Sequence, residues 1–351
     1  MRYSAIGLGL LAALFFGMAT PVSKLLLRDI NAFQLAGLLY LGAAVGVLPL
    51  IFASARHRPG VRPRQRSHML KILGAIVCGG FLGPVFLLLS LNVAYAASVA
   101  VWLNMELVAT AVLGTLLFHD HLDRNGWIGV GLALCAGVVM TLSEGAGGGL
   151  AALLVSVACL CWGFDNHFTA LIDHLPPSHI TLLKGIVAGP VNVVIGSLTP
   201  GMPSLKLSAM ALALGAVSYG MSIVFYVMAA HHLGATRSQI VFSTAPFFGV
   251  ALSVVLLKES FTVMHVVAMS CIGAGIYFSN RIHHQHAHAH RAVEHTHVHR
   301  HDDGHHNEHH DGGDPARQHT HVHHHAHMVH THAHYPDLHH RHQHETEEED
   351  H

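Results

Sequence analysis

The sequence predicts an all-α integral membrane body of ten transmembrane helices in a 5+5 inverted repeat, followed by a disordered histidine-rich tail. Three observations lead there. The 351 residues are 51% hydrophobic and only 11% charged, with a mean hydropathy of +0.43, whereas a soluble domain carries about 25% charged residues. Apolar segments of roughly 20 residues, each long enough to cross about 30 Å of hydrocarbon, recur at short intervals. Finally, 27 of the 37 histidines lie in the last 69 residues. Charge divides at the same place: residues 1–281 hold 15 Lys/Arg against 8 Asp/Glu, and residues 282–351 hold 4 against 12.

The apolar segments fall near 4–27, 32–54, 70–91, 94–118, 126–143, 150–172, 180–198, 208–230, 237–257 and 262–281. Short polar breaks separate them, which suits antiparallel neighbours and leaves no room for a soluble domain within 1–281. The first segment carries Arg2, an apolar run and small residues near Ala19-Thr20, the marks of a secretory signal. Its match to the sixth segment, given below, points instead to a retained span. Five cysteines (Cys78, Cys135, Cys159, Cys161, Cys271) all sit inside these segments without a CxxC pair. They read as small packing residues, not as a disulfide framework or zinc ribbon.

Charge sets the expected orientation. The break after the second segment holds Arg56, Arg58, Arg62, Arg64, Arg66 and Lys71, the densest cationic cluster in the chain. Positive loops stay cytoplasmic, which puts both termini in the cytoplasm of a bacterial-type plasma or inner membrane. Anionic lipid and topology account for this loop fully, so no nucleic-acid partner is expected.

The body repeats itself. An offset of 138 lays segments four and five on nine and ten without a gap, so that Ala97-Ser98 meets Ala235-Thr236 and Ala136-Gly137 meets Ala274-Gly275. An offset of 146 lays Leu14-Phe15-Phe16-Gly17 on Leu160-Cys161-Trp162-Gly163. The implied units are 1–145, 146–282 and the tail, 283–351. Five helices per half is an odd number, so the halves enter the membrane in opposite senses, a common design of secondary transporters.

Ten helices in this arrangement, Gly17–Pro21 in the first segment, and Thr244-Ala245-Pro246 running to Leu256–Ser260 in the ninth resemble the EamA family of the drug/metabolite transporter superfamily. The resemblance covers residues 5–281 and implies proton- or gradient-driven movement or exchange of small solutes; with no nucleophile beside a base, HExxH or phosphate loop in the sequence, no enzyme is expected. It names no substrate. The fourth segment departs from the pattern, with Glu106 in its interior and His121 matching Glu259.

Ionisable groups in hydrocarbon cost about 2.5–3.5 kcal/mol on insertion scales and are functional candidates. Glu106, with Asn104 two residues earlier, could carry a proton or pair with a cation. Asp165 and Asn166 are candidates in the sixth segment, while His167 projects about 200° from Asp165 and suits a neighbouring helix. Lys184 is a candidate partner for Asp165 or Glu106, against a reading in which it reaches for the interface. Asn192 and Pro190 suggest a local break in the seventh segment. Lys24 reads as an interfacial cation and His231-His232 as an interfacial pair.

The tail repeats His-x-His. The metal-binding candidates are His286, His288, His290, His295, His297, His299, His323, His325, His330, His332 and His334, joined by His119 and His121 at the mouth of the body. Neutral imidazole suits Zn, Ni, Co and Cu; too few large apolar residues are present for a packed core. No cofactor is required, and the oligomeric state, a dimer included, stays open. The expected function is alternating-access transport of a small molecule, with the tail as a metal-binding accessory. The alternatives are transport of the transition metal itself, or membrane metal sensing.

Overall fold

The computed structural model describes residues 2–54, 66–117, 124–172, 175–198, 201–233 and 241–279 of the body, and 285–290, 293–299, 319–325 and 328–333 of the tail. The chain divides into two compact units, Met1–Ile282 and His283–His351.

Eight helices of the first unit are long and apolar enough to cross a membrane, from Ala5–Leu26 to Leu205–Ala229. At the expected ninth and tenth positions stand two shorter apolar helices, Ala245–Leu257 and Val263–Phe278. The ninth is short because the chain turns at Ser243-Thr244, which leaves 13 helical residues, about 20 Å of rise.

In chain order the described helices are α1 (Arg2–Gly17), α2 (Ala19–Leu26), α3 (Ala32–Gly46), α4 (Leu48–Ser54), α5 (Arg66–Ala75), α6 (Gly83–Val93), α7 (Ala96–Trp102), α8 (Met105–Leu117), α9 (Arg124–Ser143), α10 (Gly148–Ala170), α11 (Pro177–Ser197), α12 (Leu205–Gly215), α13 (Ser222–Leu233), α14 (Ala245–Leu257) and α15 (Val263–Ser279). Two π-helical turns interrupt the third and eighth spans, at Ile76–Leu82 and Ala216–Met221.

Small residues fill the inside and large apolar residues cover the outside. Ala12, Ala13, Ala36, Ala43, Ala96 and Ala158 are fully buried or nearly so, while Leu116, Leu142, Leu153, Val255 and Val263 are exposed. Small side chains let helix backbones approach when water supplies no drive between helices, and a surface of Leu and Val matches lipid.

The internal repeat is visible in particular elements. The half-helix Met105–Leu117 has a counterpart of the same 13-residue length at Ala245–Leu257, 140 residues later. Ile76 and Ala216, which open the two π turns, are also 140 apart. The fourth and ninth segments matched at 138 in the sequence, where small apolar residues also match at neighbouring shifts.

Close approaches repeat as well. A Cβ on Gly17 would meet Ala245 O at 2.5 Å and Gly249 N at 3.0 Å, so α1 lies against α14. One on Gly163 would meet the Ala109 carbonyl carbon and Thr110 N, each at 3.3 Å, so α10 lies against α8.

Strand β1 (Gln285–His290) pairs antiparallel with β4 (Met328–Ala333), and β2 (Val293–His299) with β3 (His319–His325). The backbone register sets His286 opposite His332 and His288 opposite His330. It also sets His295 opposite His323, with Thr296 opposite Val322. Alternation of histidine with Val, Thr and Ala is a period-two pattern, and that pattern suits strands.

Candidate functional site

The fourth span is broken in the middle. Hydrogen bonding passes from α7 to α8 through a turn at Leu103-Asn104. The Asn104 amide donates to Val101 O at 3.0 Å, returning to its own helix and doubling the backbone bond that Asn104 N makes to the same carbonyl at 3.1 Å. The ninth span repeats the device at Thr244, whose hydroxyl donates to Val241 O at 2.6 Å. Two residues beyond each turn the halves diverge: Glu106 stands in the first turn of α8, and Pro246 takes the matching place in α14.

Glu106 is thus held at the amino end of a half-helix, where the helix dipole favours negative charge. Asn166 Nδ2 donates to Glu106 Oε1 at 2.9 Å and approaches Thr110 Oγ1 at 3.3 Å. Glu106 is half-buried and Asn166 exposed, so this pair borders open space. No Lys or Arg forms an ion pair with Glu106 among the described residues.

Asp165 is engaged elsewhere. Lys184 Nζ donates to Asp165 Oδ2 at 2.5 Å, with the two side chains 12% and 9% exposed, and Thr169 Oγ1 donates to Asp165 Oδ1 at 3.2 Å. Lys184 therefore turns inward to Asp165 across α10 and α11, and does not reach for the interface. His167 lies on the other side of α10, its Nε2 3.1 Å from Thr110 O, which is the neighbouring-helix contact that its direction implies.

The first π turn organises a second polar group of contacts. A π turn lengthens the hydrogen-bonded ring and leaves carbonyls to outside donors. Gly79 O accepts from Tyr40 Oη at 2.5 Å and Trp162 Nε1 at 3.3 Å, and Gly80 O accepts from Asn192 Nδ2 at 3.3 Å. Asn192 does find a freed carbonyl, but in the third span; α11 continues through Pro190 without a break. Gly79 is required by Asp165, because a Cβ there would stand 2.1 Å from Asp165 Oδ2.

An aromatic wall completes the surroundings. Tyr40 and Tyr219 have ring centroids 5.8 Å apart, Tyr219 and Phe16 5.9 Å, Phe16 and Phe242 5.4 Å, and Phe242 and Tyr226 5.3 Å. Tyr219 stands in the second π turn.

Five candidates thus occupy one region but make two separate contacts. Asn166 joins Glu106, Asp165 joins Lys184, and Asn104 braces its own turn. Thr110, Tyr40, Trp162 and the Gly79-Gly80 carbonyls are additions that no spacing rule signals, since each depends on a partner more than 35 residues away. Lys24, expected at the interface, donates to Ala94 O at 2.9 Å, in the turn between the third and fourth spans. Among the described residues no group of three or more His, Cys, Asp or Glu is placed to hold a metal ion. His119 and His121 lie outside the described residues, as do the side chains of the tail histidines.

The EamA-like transporter family model matches this chain twice, over residues 3–142 and 149–281. The chain belongs to the EamA-like transporter family. Two matched stretches that meet between Leu142 and Gly149 agree with the repeated half-helices and π turns. A transporter from Methanothermobacter thermautotrophicus, described as uncharacterized, is 23% identical over 286 residues, covering 76% of this chain and 83% of its own. A solved crystal structure superposes with a TM-score of 0.55 at 15% identity, over 80% of this chain and 98% of the other; that likeness concerns the fold. As an EamA-like transporter the chain is an integral membrane protein, and its family function is transmembrane movement of small solutes.

Proposed function

We propose that this EamA-like chain is a secondary transporter that moves its solute by alternating access of two inverted five-helix halves. Glu106 is the group that takes up a proton or a positively charged part of the solute. The observation behind this reading is the half-buried carboxylate beside Asn166, next to a helix break, with no described cation to neutralise it. A carboxylate in a low-dielectric space needs a proton or a counter-charge. Lys184 cannot serve while it holds Asp165, so the partner enters with the cargo or from water. The aromatic run from Tyr40 through Phe16 to Tyr226 offers flat apolar faces, which suits an organic solute with an apolar body.

Asp165, Lys184 and Asn192 then act as the frame. They join the sixth and seventh spans to the π turn of the third and keep Gly79 and Gly80 close to α10 and α11. Asn104 keeps the helix break in shape, and Asn166 orients the Glu106 carboxyl.

A purified sample in proteoliposomes loaded with a pH-sensitive dye tests the reading. A panel of amine-bearing, neutral and anionic metabolites, with Zn, Ni, Co and Cu ions, is added under an imposed pH gradient. The expected result is proton movement driven by at least one organic solute. A dye response to the metal ions alone would favour transport of the metal itself.

The tail supports a second, accessory proposal. Its backbone register repeatedly sets histidine opposite histidine, and imidazole is a ligand of borderline metals. The tail binds such ions and buffers or senses them. Equilibrium dialysis against Zn or Ni, comparing the full chain with a deletion of 283–351, should show bound metal falling to the background level in the deletion.

A further inference from the structure

The turn joining the third and fourth spans, Leu91–Ser98, is held by charged side chains from three distant parts of the chain. Glu259, just past α14, accepts from Ala96 N and Ala97 N, both at 2.8 Å, at the amino end of α7. Lys24, on α2, donates to Ala94 O at 2.9 Å and to Leu91 O at the carboxyl end of α6. Glu144, just past α9, accepts from Tyr95 N at 2.5 Å and from Ser98 Oγ.

These contacts do not all join the same bodies. α7 is fastened to α9 at both ends, by Glu144 at one and by the Trp102 indole donating to Gly137 O at 3.0 Å at the other. Glu259 and Lys24 instead reach α7 and its turn from the first and ninth spans. Those two spans are packed on each other through Gly17 and Gly249. The chain also adopts an uncommon backbone to place Glu259. Lys258 has φ 54°, the left-handed region, and no other non-glycine among the described residues has positive φ. Such conformations persist where surrounding contacts hold them, and they collect at switch regions. Finally, α7 is separated from α8, the half-helix that carries Glu106, by the turn at Leu103-Asn104.

We propose that Lys24 and Glu259 form a clasp that shuts the pathway on the face bearing the Leu91–Ser98 turn, at the other end of the third span from Lys71, and that the transport cycle opens it. The clasp ties the first and ninth spans to α7. Glu144 and Trp102 keep α7 with α9 throughout. This rests on the alternating-access reading but not on the role of Glu106, and its test uses no solute.

The reporter is Ala100→Cys in a chain whose five native cysteines are replaced. Ala100 is buried and abuts Gly249, where a Cβ would meet it at 2.9 Å, so separation of α7 from α14 exposes it. Membrane-impermeant maleimide is applied to each side of oriented vesicles. Lys24→Met with Glu259→Gln should raise the labelling rate about tenfold, from the clasp side alone, as loss of charge-assisted hydrogen bonds predicts. Glu144→Gln should lower thermal stability and leave labelling near the starting rate. Labelling unchanged in a folded double variant would overturn the clasp and leave a mere brace. Equal acceleration by Glu144→Gln would overturn the division into two bodies. If the double variant does not fold, Glu259→Asp keeps the charge and shortens its reach. A rise of about threefold is expected there, and an unchanged rate again overturns the proposal.

Discussion

Each half of the body interrupts its fourth helix and mends the interruption in the same way. Asn104 returns its amide to Val101 O in the first half, and Thr244 returns its hydroxyl to Val241 O in the second. Each half-helix then packs on a glycine of the other repeat's first helix. Gly163 lies on α8 and Gly17 on α14. Two residues past the turn the resemblance stops, with Glu106 in one half and Pro246 in the other. The two halves share this device, and at this position only the first has a carboxylate. The broken helix is common to both halves, and Glu106 is where the first departs from the second.

The comparison can be broken first at the frame. Lys184→Met strands the buried Asp165 carboxylate and should cost about 3–5 kcal/mol, read as a fall in melting temperature in detergent. Adding Asp165→Asn should recover much of that loss. No loss in the single variant would mean that the ion pair holds nothing.

The two glycines test how closely the halves are matched. Gly17→Ala drives a methyl group against the Ala245 carbonyl at 2.5 Å and should cost about 1–3 kcal/mol. Gly163→Ala meets Leu113 Cδ1 at 3.0 Å and backbone at 3.3 Å, a side-chain tip that can move aside, and should cost less. Equal costs by thermal melting would show that the approach is tighter at Gly163 than its geometry indicates.

A smaller effect belongs to the helix breaks. Asn104→Ala and Thr244→Val each remove one side-chain hydrogen bond worth about 0.5–1.5 kcal/mol. Stability should fall by similar amounts in both, and solute-driven flux should fall further in the Asn104 variant, because that break positions Glu106. Deleting 283–351 should have the least effect on the body, since the chain divides into two units at Ile282. Its melting temperature should stay within about 1 °C.

Much of this was legible in the sequence because hydropathy and length dictate spans, and because an ionisable residue in a lipid-soluble segment is conspicuous. Glu106, Asn166, Asp165 and Lys184 were found in that way, and the angular argument placed His167 on the opposite side of its helix from Asp165. The pairing was not legible. Lys184 could have met either carboxylate, and only packing assigns it to Asp165. The π turns left no sequence signal beyond the Gly79-Gly80 pair, so the carbonyls that hold Tyr40, Trp162 and Asn192 were hidden. Glu144, Glu259 and Lys24 sit in ordinary helix-end positions, and their shared target emerges only when spans distant in sequence meet.

The most direct test of the central claim is solute-driven proton movement by Glu106→Gln in proteoliposomes, using whichever organic solute the panel identifies with the full chain. Glutamine can still accept from Asn166, so the fold should hold, with a melting temperature close to that of the parent. The account predicts that proton movement falls at least about a hundredfold, as expected when a proton-transferring group is lost, while Pro246→Ala in the matching position retains it. Proton movement at the parental rate in a folded Glu106→Gln protein would contradict the account.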